Sequence, residues 1–300
     1  MKLSYLRRLV PALLITSVSA LALAACGGSS SSSSTTSTSS ATATKDAKVA
    51  ASVPASLQGK PLTVALDASY PPMESIGSDG KSVVGADADL ANALATTMGL
   101  TANLQNAGFD GIIPGIEAGK YNLGMSSFTD NKEREATVDF VTYMNVGTAI
   151  YATASSGAKV STVADLCGYS VAVEKGTVQQ TQAEAQAKKC APDKKLKVLV
   201  FPDQNAANLA LSSDRAQIGL ADAPVVAYAV KQSGGKFKIQ GESFETAPYG
   251  IAMAKSSGLS KPVLDALNVL IANGVYASIL DKWGMSGSAI SKPVINGATS

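Results

Sequence analysis

Histidine is absent from all 300 residues. That excludes Ser-His-Asp and Cys-His nucleophilic chemistry, together with any metal site built on imidazole. Cysteine occurs only three times, at Cys26, Cys167 and Cys190, with no cluster at metal-site spacing. No cofactor or metal is therefore expected. A charge excess is missing as well: 25 lysines and arginines face 23 aspartates and glutamates. A near-neutral chain offers no electrostatic basis for holding nucleic acid. The apolar run from Leu9 to Leu23 is too short and wrongly flanked for a stable membrane span.

What is present begins with a processing signal. Lys2, Arg7 and Arg8 precede the apolar run, and small residues then lead into Cys26. The ending Leu23-Ala24-Ala25-Cys26 resembles the bacterial lipobox, which implies that Cys26 is diacylated and becomes the mature N-terminus. Ordinary cleavage, with Cys26 an incidental small residue, is the alternative. Residues 29–44 are almost wholly Ser, Thr and Ala, a composition that cannot bury a core and behaves as a flexible tether. Residues 1–25 are thus read as signal and 26–56 as a lipid-anchored tether. The signal holds three basic and no acidic residues, so 22 basic residues then face 23 acidic ones, a net charge of −1. With Cys26 lipidated, Cys167 and Cys190 remain as an even pair in an oxidising compartment. A disulfide between them is expected there, two buried free thiols being the alternative.

From about residue 57 the chain reads as α/β. Short apolar strands are expected at 62–66, 102–105, 123–126, 146–152, 170–173, 196–201, 218–221 and 249–254. Helical patterns lie between them, which predicts mainly parallel sheets. Asp87 can cap a helix running to about Met98, and Thr177 can open one toward Lys189. Near the C-terminus, Val263, Leu264, Leu267, Leu270 and Ile271 share one helical face, as do Tyr276, Ile279, Leu280 and Trp283. About 240 residues suit two lobes of roughly 100 each. Residues 116–124 and 211–219 echo each other as helix end, turn, basic residue, amide residue and strand.

Eight landmarks then occur in order: Asp67-Ala68-Ser69-Tyr70-Pro71-Pro72, Gly85-Ala86-Asp87-Ala88-Asp89-Leu90, Phe109-Asp110-Gly111-Ile112-Ile113-Pro114, Ser126-Ser127-Phe128-Thr129, Arg134 with Asp139-Phe140, Glu174-Lys175-Gly176-Thr177, Asp222-Ala223-Pro224 and Pro248-Tyr249-Gly250-Ile251. In these the chain resembles the bacterial extracellular solute-binding proteins of family 3, the amino-acid-binding components of ABC importers. The resemblance implies a two-lobed, type II periplasmic-binding-protein-like fold. Each lobe would be a mainly parallel sheet flanked by helices, the two joined by two crossover strands. Lobe 1 would take residues 57–147 and 248–300, and lobe 2 residues 148–247. Ala86 and Ala88 depart from the bulkier residues usual in the second landmark, Met73 stands where an aromatic is commoner, and Asn131 replaces a frequent Thr.

A free amino acid carries a carboxylate and an ammonium, and removing both from water without partners is costly. Arg134 offers a planar fork for the carboxylate, with Ser127 and Thr129 as added donors. On its residues alone, Arg134 reads equally as a solvated charge among Lys132, Glu133 and Glu135. The resemblance implies the carboxylate role, with backbone amides around Thr177 and Val178 closing from lobe 2. It also implies that Asp222 takes the α-ammonium, although a helix N-cap role is compatible with Pro224 two residues on. Tyr70 and Phe109 resemble the walls of the ligand site, and Phe109 reads equally as core. Side-chain selectivity would fall to Asp67, Met73 and Glu174, whose acidic pair favours a cationic or amide-bearing ligand.

The function expected is capture of an amino acid or close analogue by lobe closure, outside the cytoplasm, for delivery to a membrane ABC permease. The protein would be monomeric, anchored to the membrane by lipid, and not an enzyme. Alternatives are a sensory lipoprotein serving a receptor kinase and a dehydratase of the cyclohexadienyl type on the same fold.

Overall fold

A computed structural model describes residues 41–298. Cys26 and the expected signal lie outside the described residues. The tether, expected to reach residue 56, does not extend so far. Helix α1 (Ala47–Ser52) is capped by the Asp46 carboxylate, which accepts the N–H groups of Lys48 and Val49. Val49 and Val53 are buried in the adjoining core, so this stretch belongs to the folded body.

Strand β1 (Leu62–Leu66) is apolar and buried along nearly its whole length, as fits a strand covered on both faces. A separate three-stranded sheet follows, made of β2 (Ser69–Tyr70), β3 (Glu74–Ile76) and β4 (Val83–Val84). Next come α2 (Ala86–Thr97), β5 (Ala102–Asn106), α3 (Ile112–Glu117), β6 (Leu123–Gly124) and α4 (Lys132–Glu135). The chain then crosses on β7 (Val138–Thr153), a strand of 16 residues. Beyond it lie β8 (Ser170–Glu174), α5 (Val178–Ala187), β9 (Lys197–Phe201), α6 (Gln204–Ser212), β10 (Ile218–Asp222) and α7 (Ala223–Gln232). The 18-residue β11 (Phe237–Ala254) brings the chain back to α8 (Ser260–Ala272) and α9 (Val275–Lys282).

Eight strands form one sheet in the order β5-β1-β6-β11-β7-β10-β8-β9. The outer strands on each side run parallel, β5, β1 and β6 on one and β10, β8 and β9 on the other. The two long strands pair antiparallel between them and serve both sides. β11 changes register between Gln240 and Phe244, between Phe244 and Ala247, and again at Tyr249/Gly250. Such irregularities bend a strand, and the expected passages at 147/148 and 247/248 fall in this region. Separate cores form on the two sides. Leu62, Leu90, Leu94, Leu267 and Leu270 belong to one, and Tyr151, Leu211 and Phe237 to another.

Asp87 does not cap α2. The N-cap is Gly85 at φ 142, where a Cβ would lie 2.0 Å from the Met73 carbonyl oxygen. Only glycine fits there, and Asp87 sits inside the first turn with its carboxylate turned into the protein. Thr177 does cap α5, its hydroxyl accepting the Gln180 N–H.

Cys167 and Cys190 form a disulfide, 23 residues apart in sequence, between the turn after residues 163–166 and the end of α5. Closing such a loop stabilises by about 3 kcal/mol in the chain-entropy model. Reduction should therefore lower Tm by several degrees in a thermal melt with and without dithiothreitol. An unchanged Tm with both thiols shown to be free would contradict a stabilising role.

Candidate functional site

The C-terminal ends of β1, β8 and β10, the start of α5 and the approach to α4 converge on one small, tightly closed cavity. Ligands of open α/β sheets gather at such carboxyl ends. Of the expected site residues, Asp67, Tyr70, Phe109, Ser127, Thr129, Arg134, Glu174, Thr177, Val178 and Asp222 all line it. Met73 does not: its side chain is 0% exposed and belongs to the core that also holds buried residues of α2 and α8, which leaves it no part in lining the cavity.

Arg134 is set by the start of α4, where the Asn131 side chain caps the helix by accepting the Arg134 N–H. Its Nη1 donates to the Thr129 carbonyl (2.9 Å) and its Nη2 to the Gly176 carbonyl across the cleft (3.0 Å). The guanidinium lies over the rings of Phe109 and Phe128, 5.5 and 5.4 Å from their centres. Those rings stack at 4.5 Å, so Phe109 is wall and core at once. Burial lowers the Arg134 pKa to about 10, opposed chiefly by Asp222, and the group stays charged.

Asp222 occupies the N-cap position of α7 without capping it. Its carboxylate instead accepts the Tyr70 hydroxyl (2.8 Å) and the Gln179 amide (2.8 Å). Asp67 accepts the N–H groups of Ser69 (3.0 Å) and Phe109 (2.9 Å). Glu174 differs from both. It is 2% exposed, and neither carboxylate oxygen has a hydrogen-bond partner. Burial, then the charges of Asp67, Asp203, Asp222 and Asp110, push its pKa well above the ordinary carboxylate value. A buried acceptor without a donor is costly. The Ser127 hydroxyl is likewise buried and unpartnered, on a residue held at φ 54 whose N–H is accepted by Asp87.

Two lining residues were not anticipated, Ser126 and Gln179. Ser126 receives the Asp67 N–H (2.9 Å) and donates to Glu74 (2.6 Å), tying the site to a buried acid behind it. Its signal was its place in the landmark Ser126-Ser127-Phe128-Thr129. Gln179 bridges Asp222 and Thr148, and nothing in its spacing marks it. Four contacts hold the two sides of the cleft together: Tyr70 to Asp222, Arg134 to Gly176, Gln204 N–H to Ser69 Oγ (3.1 Å) and Lys175 to Asp110 (2.7 Å).

Several carboxyls hold protons more tightly than they would in an unfolded chain. Burial raises Glu174, Asp67 and Asp222, and it takes Asp87 to about 6 and Asp130 to about 7. Groups raised in this sense contribute stability that is present below the ordinary carboxylate range and lost as pH rises through the folded values. Ligand-free protein should therefore melt at a higher temperature near about pH 5 than near about pH 8. Exposed Asp79 and Asp165, lowered by backbone N–H groups, act oppositely but at more acidic pH. A Tm that climbs steadily from pH 5 to 8 would contradict the assignment of these carboxyls.

Two α/β halves, joined by paired long strands and closed on a buried polar cavity, define a two-lobed binding protein of the type II periplasmic class. The bacterial extracellular solute-binding proteins, family 3, match residues 62–286, and the chain belongs to that family. The arginine-binding protein ArgT of Corynebacterium glutamicum is 32% identical over 253 residues, covering 83% of each chain. An ancestral arginine-binding protein bound to arginine superposes with a TM-score of 0.70 at 33% identity, over 74% of this chain and 97% of that one. An ancestral arginine-binding protein bound to glutamine gives 0.69 at 32% identity, over 75% and 98%.

Proposed function

We propose that the protein is an extracytoplasmic trap for a cationic amino acid, with arginine the ligand its site fits best. The observation that carries this is Glu174, with two unpartnered carboxylate oxygens, sharing one enclosed cavity with Arg134. In this reading Arg134, Thr129, Ser127 and the first turn of α5 take the ligand carboxylate. Asp222 and Tyr70 take the α-ammonium, and Glu174 with Asp67 takes the cationic side chain. Three acids and one arginine line the cavity, so a ligand of net positive charge balances it where an acidic one does not. The arginine-binding relatives support the cationic ligand, and the glutamine-bound ancestor supports an amide as second choice.

The protein would work as a monomer and carry out no chemistry on its ligand. Lobe 1, residues 57–147 with 248–300, and lobe 2, residues 148–247, would close about the two long strands. The closed form would then be presented to an ABC permease, with a lipid on Cys26 keeping the trap at the membrane surface. Closure needs a ligand that binds the closed form better than the open one. Arginine should raise Tm by mass action and reduce the radius of gyration in X-ray scattering. A Tm raised by glutamate and unmoved by arginine or lysine would overturn the ligand, and an unchanged radius at saturating arginine would overturn closure.

A further inference from the structure

We propose that residues 294–298 are a strap that positions the carboxylate grip of the site, an inference that rests on the ligand reading above. β10 pairs with β7 only over Thr148–Ala152, which leaves the earlier part of β7 as an edge on that side. Unpaired strand edges leave backbone groups to be satisfied, and the C-terminal segment satisfies them. Thr142 donates its N–H to the Val294 carbonyl (2.9 Å), and Val294 N–H returns to Thr142 Oγ1 (2.9 Å). Asn296 N–H donates to the Phe140 carbonyl (3.0 Å), and Phe140 N–H to Asn296 Oδ1 (2.8 Å).

Asn296 then adopts φ 53, a left-handed conformation that Asn tolerates, and the chain leaves the edge. Gly297 N–H donates to Asp130 Oδ2 (2.7 Å), Ala298 N–H to Glu135 Oε1 (3.0 Å), and Asn296 Nδ2 to Asp139 Oδ1 (3.1 Å). The fit is tight: a Cβ at Gly297 would meet Thr142 Cγ2 at 2.7 Å and Val294 Cγ2 at 2.8 Å.

The strap thus grips both ends of the segment that carries Thr129 and Arg134. Asp130 is 2% exposed and adjacent to Thr129, and its second oxygen, Oδ1, has no partner. Released from Gly297, this carboxylate would compete for Arg134 and repel a ligand carboxylate. Held by Gly297, it leaves the guanidinium to the Thr129 and Gly176 carbonyls and to the ligand.

Calorimetry with L-arginine and with L-argininamide, which lacks the negative charge, tests the strap on the intact protein and on a variant lacking residues 294–300. Deletion should weaken arginine about tenfold and argininamide by less than about threefold. Adding Asp130→Asn to the deletion should restore most of the arginine affinity. Equal losses for both ligands, unchanged arginine affinity, or no rescue would overturn the strap. A shorter deletion of residues 297–300, which removes the Gly297 and Ala298 donors and leaves the bonds of Val294 and Asn296 to the β7 edge in place, carries the same comparison if the longer deletion does not fold. Absence of arginine binding by the intact protein would instead overturn the ligand reading itself.

Discussion

Arg134→Met is expected to weaken arginine binding by about 2–5 kcal/mol, between about 30-fold and about 5,000-fold. The size follows from the surroundings of the guanidinium. It lies over Phe109 and Phe128 and is fixed by two carbonyls. A ligand carboxylate brought there meets a desolvated charge, and methionine fills similar space while offering no donor. The variant also loses the bond to the Gly176 carbonyl, one of four contacts across the cleft, so closure weakens together with capture. Arg134→Lys should fall between the two, since lysine keeps the charge and loses the planar fork. Calorimetry reads all three proteins, and Arg134→Met binding within threefold of the original would remove Arg134 from the grip.

Glu174→Gln is expected to act on stability and selectivity in opposite senses. In the ligand-free protein Glu174 is a buried acid with no partner on either oxygen, its pKa raised by burial and by neighbouring acids. A neutral amide removes that repulsion and the cost of ionising a buried acid, so Tm should rise, and by more at higher pH. Arginine should lose about 1.5–3 kcal/mol, roughly 10- to 150-fold, because a charge-assisted bond becomes a neutral one. Glutamine should change far less, and the preference for arginine over glutamine should shrink or reverse. A fall in Tm together with unaltered selectivity would make Glu174 a structural residue.

Much of the architecture was legible because buried parallel strands are apolar runs. Leu62–Leu66 and Ile218–Asp222 stand out for that reason, and α8 and α9 show one apolar face each. The long strands were legible only in part. β7 was expected from 146 to 152, yet it starts at Val138 and runs straight through Asn145 and Gly147, residues that in sequence read as the end of one strand. β11 was expected only from 249, since its earlier residues, Phe237 and Phe244 aside, are mostly polar or exposed and are interrupted by Gly241 at φ 67. The two-residue strands β2 and β4 are too short for periodicity to register.

Site residues divide in the same way. Arg134 and Asp222 were recognisable by landmark, whereas charge pattern alone left Arg134 among Lys132, Glu133 and Glu135. Met73 was suggested by its position in the family pattern, where an aromatic is commoner, but its side chain is fully buried in the core and does not reach the cavity. Gln179 and Ser126 act through hydrogen bonds made across the fold, to Asp222, Thr148, Asp67 and Glu74. Distances of that kind are set by tertiary packing and leave no trace in local sequence.

The site as a whole predicts a charge preference, and one titration series reads it directly. Purified protein should be titrated calorimetrically with L-arginine, L-lysine, L-glutamine and L-glutamate at neutral pH. Arginine should bind tightest, glutamine more weakly, and glutamate without detectable heat, because Glu174 and Asp67 would face a like charge. Tight glutamate binding with no arginine binding would contradict the assignment of these acids to the ligand side chain.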